Sequence, residues 1–216
     1  MLRLLFEAIS TTPQEFVNAQ RGEEFEDRID HFLRNAMNYS RLRNTDIHGW
    51  SALRAEALRK SDDSPIENTY DVSSSYIYQP NGGQNYPDFM VFEMQEVVCI
   101  EVKFSKQPKP VWNSGLPRPN GFYILGMSRR GDATFFRGSD VISVEESEAM
   151  HTSFDMAHIE EEGFNDQRMC TQKYGFSVYV RKAFDQSKKY NSNAIINYYD
   201  SPDRPRLEQN VLDYFE

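Results

Sequence analysis

The stretch of sequence that decides the fold is residues 87–104, which read PDFMVFEMQEVVCIEVKF. Two apolar runs, Asp88–Phe92 and Val97–Phe104, flank a short polar connection, and this pattern predicts a β-hairpin. Side chains alternate between the two faces of a strand, so Glu101 and Lys103 share one face while Val102 points into the core. The sequence therefore predicts two opposite charges side by side on a strand that is otherwise buried. Buried charges are costly, so we expect these two to be paired with other polar groups or to take part in a function.

The register of this hairpin predicts the position of Asp88. If Met94 and Gln95 form the centre of the connection, symmetric pairing places Asp88 directly opposite Glu101. Opposed residues have Cβ atoms about 4.5–5.5 Å apart. Two carboxylates at that distance repel unless a proton or a divalent cation lies between them. Met-Gln is not a favoured two-residue turn, so a register slipped by one residue is an alternative.

Two carboxylates and a lysine in this arrangement indicate a particular chemistry. Oxygen ligands suit Mg²⁺, which binds through one or two carboxylates and keeps several waters for a phosphate-bearing substrate. The Lys103 ammonium is suited to holding a scissile phosphate, polarising an attacking water or stabilising developing charge. We therefore expect metal-assisted hydrolysis of a phosphodiester, with Asp88 and Glu101 as the metal ligands.

Pro87-Asp88, followed after twelve residues by Glu101-Val102-Lys103, resembles the motif of the PD-(D/E)XK nuclease superfamily. The resemblance implies an α/β fold in which a mixed central β-sheet is flanked by helices, with the motif on a central hairpin. It also implies that the backbone carbonyl of Val102 assists Asp88 and Glu101 in binding the metal. An isolated acid-x-Lys pattern is weak, and the alternative is a solvated cross-strand salt-bridge cluster.

Many members of this superfamily carry a further acid on an early helix, in a pattern like Gly-x-x-Phe-Glu. The segment Gly22-Glu23-Glu24-Phe25-Glu26 fits that pattern, so the resemblance assigns the catalytic acid to Glu26. Phe25 lies on an apolar stripe with Ile29, which places Glu26 at the edge of the stripe. Glu23 is the competing candidate.

A proline-rich loop follows the motif strand and is a candidate DNA-binding surface. Seven basic residues and one acid lie between Lys103 and Arg137, although the whole chain carries a net charge of −9. Lysine binds phosphate, while Arg, Asn and Gln can read base edges. The alternative is a connecting loop with solvated lysines. The predicted DNA contacts are Lys106, Gln107, Lys109, Asn113, Ser114, Arg118 and Asn120.

Outward from the hairpin, apolar periodicity and breaks predict the remaining elements. We expect a single nuclease domain over residues 1–216, with a motif core over about 14–137 and an accessory or dimerisation region over 138–216. The predicted helices cover 14–41, 50–59 and 144–162, and the predicted strands outside the hairpin cover 72–78, 122–127, 133–137 and 176–180.

Composition excludes several classes of protein. The chain is 39% hydrophobic and 26% charged, which is typical of a globular domain, and its apolar runs are too short to span a bilayer. The first residues do not resemble a secretion signal, so we expect a cytoplasmic protein. Two cysteines, Cys99 and Cys170, are too few for a disulfide scaffold or a zinc ribbon. The four histidines lack metal-binding spacing.

Together these features predict a Mg²⁺-dependent endonuclease that cuts double-stranded DNA at a specific sequence. The loop and the strand after it are similar in general form to type II restriction endonucleases, which implies a homodimer and a cognate DNA methyltransferase. A repair nuclease, a junction resolvase and a noncatalytic DNA-binding protein are the alternatives. We expect Arg118 to contribute to DNA binding, and Arg204, in a distal proline-flanked stretch, to contribute little.

Overall fold

The computed structural model describes residues 2–19, 21–83, 85–112, 115–169, 177–180, 184, 186 and 196–216. Six helices and seven strands lie in this described part of the chain. The helices are α1 (Arg3–Thr11), α2 (Pro13–Val17), α3 (Gly22–Asn35), α4 (Trp50–Arg59), α5 (Val144–Met169) and α6 (Arg204–Tyr214). The strands are β1 (Ser40–Leu42), β2 (Ile66–Glu67), β3 (Ser75–Tyr78), β4 (Phe89–Phe92), β5 (Glu96–Ser105), β6 (Phe122–Met127) and β7 (Asp132–Arg137).

The strands form one mixed, open sheet in the order β1-β3-β4-β5-β6-β7, and β2 pairs with β5 beside this path. The pairs β1/β3 and β5/β6 are parallel, and the other neighbours are antiparallel. Helices flank the sheet. The predicted fold class, α/β with a mixed central sheet, is confirmed, and the architecture is consistent with a restriction-endonuclease-like fold.

The hairpin of β4 and β5 has the symmetric register that the sequence predicts. Phe89 pairs with Ile100 and Phe92 pairs with Val97. The N–H of Glu93 donates a hydrogen bond of 2.9 Å to the carbonyl of Glu96 and closes the connection. The register slipped by one residue is therefore excluded. One step beyond the last pair, Asp88 lies level with Glu101.

The two faces of the sheet carry separate apolar cores. On one face, Phe25 of α3 packs in a cluster with Ile100 and Val102 of β5. On the other face, Leu53 of α4 packs in a cluster with Cys99. The alternation predicted for β5 is therefore present, and Glu101 and Lys103 belong to the same face as Cys99.

Gly126 of β6 allows α3 to approach the sheet closely. A Cβ atom at this position would lie 2.8 Å from the ring of Phe25 and 2.9 Å from the ring of Phe104, closer than real Cβ contacts allow. The missing side chain thus sets the distance between α3 and the sheet. Glu26 follows Phe25 on α3, so its position relative to β5 depends on this contact.

The prediction of one continuous helix over 14–41 is wrong. Helix α2 ends at Val17, because Asn18 has a ψ of 58° and leaves the helical region. Helix α3 begins at Gly22. After α3, Asn38 adopts a left-handed φ of 57°, and the chain turns into β1. The long apolar pattern therefore belongs to two helices and an edge strand.

The C-terminal part differs most from prediction. Helix α5 extends to Met169, and α6, which the pattern does not indicate, lies near β7. Residues 177–180 form no strand, while Phe176, at the start of the predicted strand, lies outside the described residues. Tyr198 stacks on Phe136 of β7 with ring centroids 5.0 Å apart. The described residues 196–216 thus pack against the β7 edge of the sheet.

No helix in the described ranges combines the length and the apolar character needed to cross a membrane.

Candidate active site

The structure brings together Asp88, Glu101 and Lys103 at the end of the central hairpin. Asp88 and Glu101 are buried, with 9% and 6% of their surface exposed. The Lys103 ammonium donates a hydrogen bond of 2.5 Å to Oε1 of Glu101. The backbone N–H of Val102 donates one of 2.7 Å to Oδ2 of Asp88. The three motif side chains therefore lie within one small, mostly buried group.

The electrostatics of this group are unfavourable for two free carboxylates. Burial and the neighbouring Glu101 raise the pKa of Asp88 to about 8. Burial also raises the pKa of Glu101, against the opposing effect of Lys103. Oε2 of Glu101 has no hydrogen-bond partner among the described residues. Proteins normally supply a hydrogen-bond partner to a buried polar atom, so this Glu101 oxygen is an exception.

The backbone of Val102 places its carbonyl on the side of β5 that is nearer β4. In a strand the N–H and C=O of one residue point towards the same neighbouring strand. The pairing of β4 with β5 ends at Phe89 and Ile100, and beyond that point the Val102 N–H donates its hydrogen bond to Asp88. The Val102 carbonyl therefore lies on the Asp88 side, as the predicted metal site requires.

The donors present fit a Mg²⁺ ion. Asp88 and Glu101 offer hard oxygen atoms, and the orphaned Oε2 of Glu101 needs a partner. Within the described ranges, no three or more His, Cys, Asp or Glu side chains are grouped so that they could hold a metal. Mg²⁺ does not require such a cage, because it binds through one or two carboxylates and retains several waters. The pair thus suits a hydrated ion that also contacts a phosphate.

Glu26 of α3 lies near this pair from the opposite face of the sheet. Its carboxylate is half-buried, and its charge contributes to the raised pKa values of Asp88 and Glu101. Tyr78 donates a hydrogen bond of 2.9 Å to Oε2 of Glu26. Glu23, in contrast, is exposed. Of the two candidate helix acids, the geometry favours Glu26.

Tyr78 and Gln79 are contacts of the site that the sequence analysis missed. The Gln79 amide donates a hydrogen bond of 3.1 Å to the same Glu26 oxygen as Tyr78. Burial and the hydrogen bond to Glu26 raise the pKa of Tyr78. The only local signal is their place at the end of β3, just before the turn at 80–83. No spacing rule connects them to Glu26.

A cleft of about 480 Å³ opens beside Glu101 and Lys103. Its walls come from the end of α4, the loop over 115–119 and the first turns of α5. Arg118 lines it, donating a hydrogen bond of 2.7 Å to the carbonyl of Leu58 and stacking over the ring of Tyr86 at 4.9 Å. Of the predicted DNA contacts in the part of the chain that the structure describes, Arg118 is therefore the one that lines this cleft.

The remaining predicted DNA contacts are dispersed. Lys106 and Gln107 are exposed just after β5. The Lys109 ammonium donates a hydrogen bond of 2.9 Å to the carbonyl of Gln186. Asn120 is only 9% exposed, so in this conformation its side chain is not available to a DNA groove. Asn113 and Ser114 lie outside the described residues.

Arg204 has a structural role that the sequence analysis did not expect. Its guanidinium is bonded to both carboxylate oxygens of Asp132, at 2.8 and 3.0 Å, and to Glu208 at 2.8 Å. It also donates a hydrogen bond of 2.8 Å to the carbonyl of Ala133. These contacts join α6 to β7. The expectation that Arg204 contributes little to DNA binding stays a prediction, and its ion pairs indicate a contribution to stability instead.

Comparisons of the chain with protein-family models, with curated proteins and with solved structures give no match.

Proposed function

We propose that this protein is a Mg²⁺-dependent DNA endonuclease whose metal ligands are Asp88, Glu101 and the carbonyl of Val102. The observation that carries the proposal is the buried carboxylate pair, in which one oxygen of Glu101 has no partner within the described ranges. Lys103 lies 2.5 Å from the other Glu101 oxygen and brings a cation to the same place. A ligand that is both a divalent cation and a phosphate fits this arrangement of charges.

The positions of the residues support the following proposed roles. A Mg²⁺ ion bound by the carboxylates would act as a Lewis acid and lower the pKa of a coordinated water. The Lys103 ammonium is placed to bind a phosphate oxygen or to orient the attacking water. Glu26 adds a third carboxylate from α3, and it either completes the ligand set or orients Lys103. Asp88 is fixed through its bond to the Val102 N–H.

The more specific proposal is a type II restriction endonuclease that acts on double-stranded DNA. Arg118 in the cleft and the exposed Lys106 and Gln107 are the proposed contacts to the DNA, together with Lys109. Cutting both strands of a palindromic site with a chain of this size requires a homodimer whose two-fold axis matches the site. We further propose a cytoplasmic location and a cognate DNA methyltransferase.

Digestion of phage-sized DNA, with Mg²⁺ and with EDTA, tests the proposal. A site-specific enzyme gives sharp, reproducible fragments in Mg²⁺ and none in EDTA. Mapping the fragment ends then gives the recognition sequence. A smear would contradict sequence specificity, and cleavage confined to branched DNA would favour a junction resolvase. Cleavage that EDTA does not affect would contradict the metal site itself.

A further inference from the structure

Gln79 is the residue that contacts both the strand acid and the helix acid. Its backbone N–H donates a hydrogen bond of 2.7 Å to the carbonyl of Asp88. Its side-chain amide donates one of 3.1 Å to Oε2 of Glu26 and one of 3.1 Å to the hydroxyl of Tyr78. Because Tyr78 also donates to Oε2 of Glu26, the three side chains form a closed set of hydrogen bonds.

The backbone of Gln79 adopts an uncommon conformation. Its φ is 46°, in the left-handed region that few residues other than glycine occupy. Conformations of this kind cost about 1–3 kcal/mol and persist only where surrounding contacts hold them. Here the Gln79 carbonyl accepts a hydrogen bond of 3.0 Å from Gly82, and its N–H is bonded to Asp88. Both peptide groups beside the side chain are thus fixed.

The turn after β3 leaves room for the Gln79 amide. A Cβ atom at Gly83 would lie 3.2 Å from Nε2 and 3.3 Å from Oε1 of Gln79. That separation is tighter than most real contacts, so a side chain at Gly83 would displace the amide. The absence of a side chain there therefore preserves the bond between Gln79 and Glu26.

We propose that Gln79, together with Tyr78, is a positioning residue that holds the Glu26 carboxylate at a fixed place relative to Asp88. Glu26 is half-buried on a helix, whereas Asp88 lies at a strand end, and Gln79 bonds to both. Two donors on Oε2 restrict the rotation of the Glu26 side chain. This inference rests on the proposed function, because it assigns the fixed separation of the two acids to the nuclease site.

The variants Gln79→Ala and Tyr78→Phe test the proposal. Gln79→Ala removes the amide but keeps the backbone bond to Asp88. We expect each variant to lower kcat by about 10–100-fold, the usual effect of losing a partner that orients a metal-site group, with little change in KM for DNA. Melting curves in EDTA establish that each variant is folded.

Two matched controls lie away from the site. Tyr39 donates a hydrogen bond of 2.5 Å to Glu93, at the opposite end of β4, so Tyr39→Phe removes an equivalent tyrosine–glutamate bond. Gln209 donates one of 2.6 Å to Asp213 on α6, so Gln209→Ala removes an equivalent amide. Both controls should cleave DNA at the parent rate per folded molecule.

A double-mutant cycle with Glu26→Gln separates positioning from general destabilisation. If Gln79 acts through Glu26, Gln79→Ala lowers kcat little further in the Glu26→Gln background. Equal losses in both backgrounds would overturn the inference. Parent-like kcat for both Gln79→Ala and Tyr78→Phe would also overturn it, while leaving the proposed function intact.

A second readout does not depend on cleavage. Mg²⁺ that binds only the folded protein raises its melting temperature. We expect Gln79→Ala and Tyr78→Phe to need about 10-fold more Mg²⁺ than the parent for the same rise. A parent protein that is neither stabilised by Mg²⁺ nor able to cut DNA would overturn the proposed function and this inference with it. An equal Mg²⁺ requirement in parent and variants, together with an unchanged kcat, would overturn the inference alone.

Discussion

Two groups of buried acids in this protein have opposite environments. Both carboxylate oxygens of Asp30, on α3, have charged or hydrogen-bonding partners. Its Oδ2 lies 2.5 Å from Arg34, and its Oδ1 accepts hydrogen bonds of 3.3 Å from Arg41 and 2.6 Å from Tyr76. Two guanidinium groups and a phenol therefore compensate one carboxylate. This arrangement is what a buried charge needs if its role is structural.

The pair Asp88 and Glu101 has one cation for two carboxylates. Lys103 binds one oxygen of Glu101, and the other Glu101 oxygen is without a partner in the described part of the chain. Burial and mutual repulsion raise the pKa of Asp88 to about 8. The contrast between the satisfied Asp30 and this unsatisfied pair supports the proposal that the pair binds a ligand.

The largest difference between the two groups should appear on removing the cation of the candidate site. Lys103→Ala should lower the cleavage rate by about 10³-fold, which corresponds to about 4 kcal/mol of transition-state stabilisation. Lys106→Ala, an exposed lysine three residues along, should lower it by less than about 10-fold, as expected for one phosphate contact. Single-turnover rates of both variants provide the measurement. Similar losses for the two would contradict a catalytic Lys103.

Removing the charge of Asp30 should affect stability alone. In Asp30→Asn, Arg34 and Arg41 lose the carboxylate they share, and we expect the free energy of unfolding to fall by about 3 kcal/mol. For a protein of this size that lowers the melting temperature by about 6–12 °C. The cleavage rate per folded molecule should equal that of the parent. A stable variant with impaired cleavage would reverse the assignment of roles.

Arg204→Ala is a second test of a charged residue whose expected role is in stability. Its guanidinium is mostly buried and joins α6 to Asp132 and Glu208. We expect a loss of about 2 kcal/mol in the free energy of unfolding, because the variant leaves Glu208 without its cation and leaves Asp132 with Arg130 alone. Arg206→Ala on the same helix is the control, since that side chain is 58% exposed and lies 3.9 Å from Asp203. Chemical denaturation of both variants measures the difference.

The smallest expected effect is the change in the free energy of unfolding with pH. The raised pKa of Asp88, about 8, means that the metal-free fold favours the neutral carboxyl. The contribution of the neutral Asp88 carboxyl to stability is fully present below the pKa of Asp88 in the unfolded chain, about 3.9. It is lost as the pH rises through the pKa in the folded protein, about 8. Between about pH 7 and pH 9 the ionisation of this group lowers the free energy of unfolding by about 1 kcal/mol.

Asp88→Asn has no such group and is the reference for this titration. Measured in EDTA, the melting temperature of the parent should fall by about 2–4 °C more than that of the variant over the same pH range. A parallel fall in the two proteins would show that Asp88 is ionised throughout and would remove the electrostatic contrast with Asp30.

Local patterns predicted the parts of the fold that depend on nearby residues. The hairpin register follows from the symmetry around Met94 and Gln95, and the bounds of α4 and β6 match the expected 50–59 and 122–127. The assignment of Glu26 rests on the resemblance of Gly22–Glu26 to a superfamily pattern, and its role stays a prediction. In each instance the signal lies within a few residues of the element that it predicts.

Features that depend on contacts between distant segments were not predicted. Gln79 contacts Glu26 across 53 positions of sequence and through a left-handed backbone. Asn120 resembles a base-reading residue in sequence but is buried two residues before β6. Arg204 is bonded to Asp132, 72 positions away. Neither periodicity nor spacing carries information about such pairs.

The most direct test of the account compares Asp88→Asn with Asp30→Asn. The asparagine oxygen can still accept the hydrogen bond of the Val102 N–H, so the fold at position 88 is preserved while a charge and a metal ligand are lost. Each variant is assayed for DNA cleavage in Mg²⁺ and for its melting temperature in EDTA at neutral pH. We predict that Asp88→Asn loses at least about 10³-fold in rate and melts no lower than the parent, whereas Asp30→Asn cleaves normally and melts lower. An Asp88→Asn protein that cleaves at the parent rate per folded molecule and is merely destabilised would contradict the catalytic assignment.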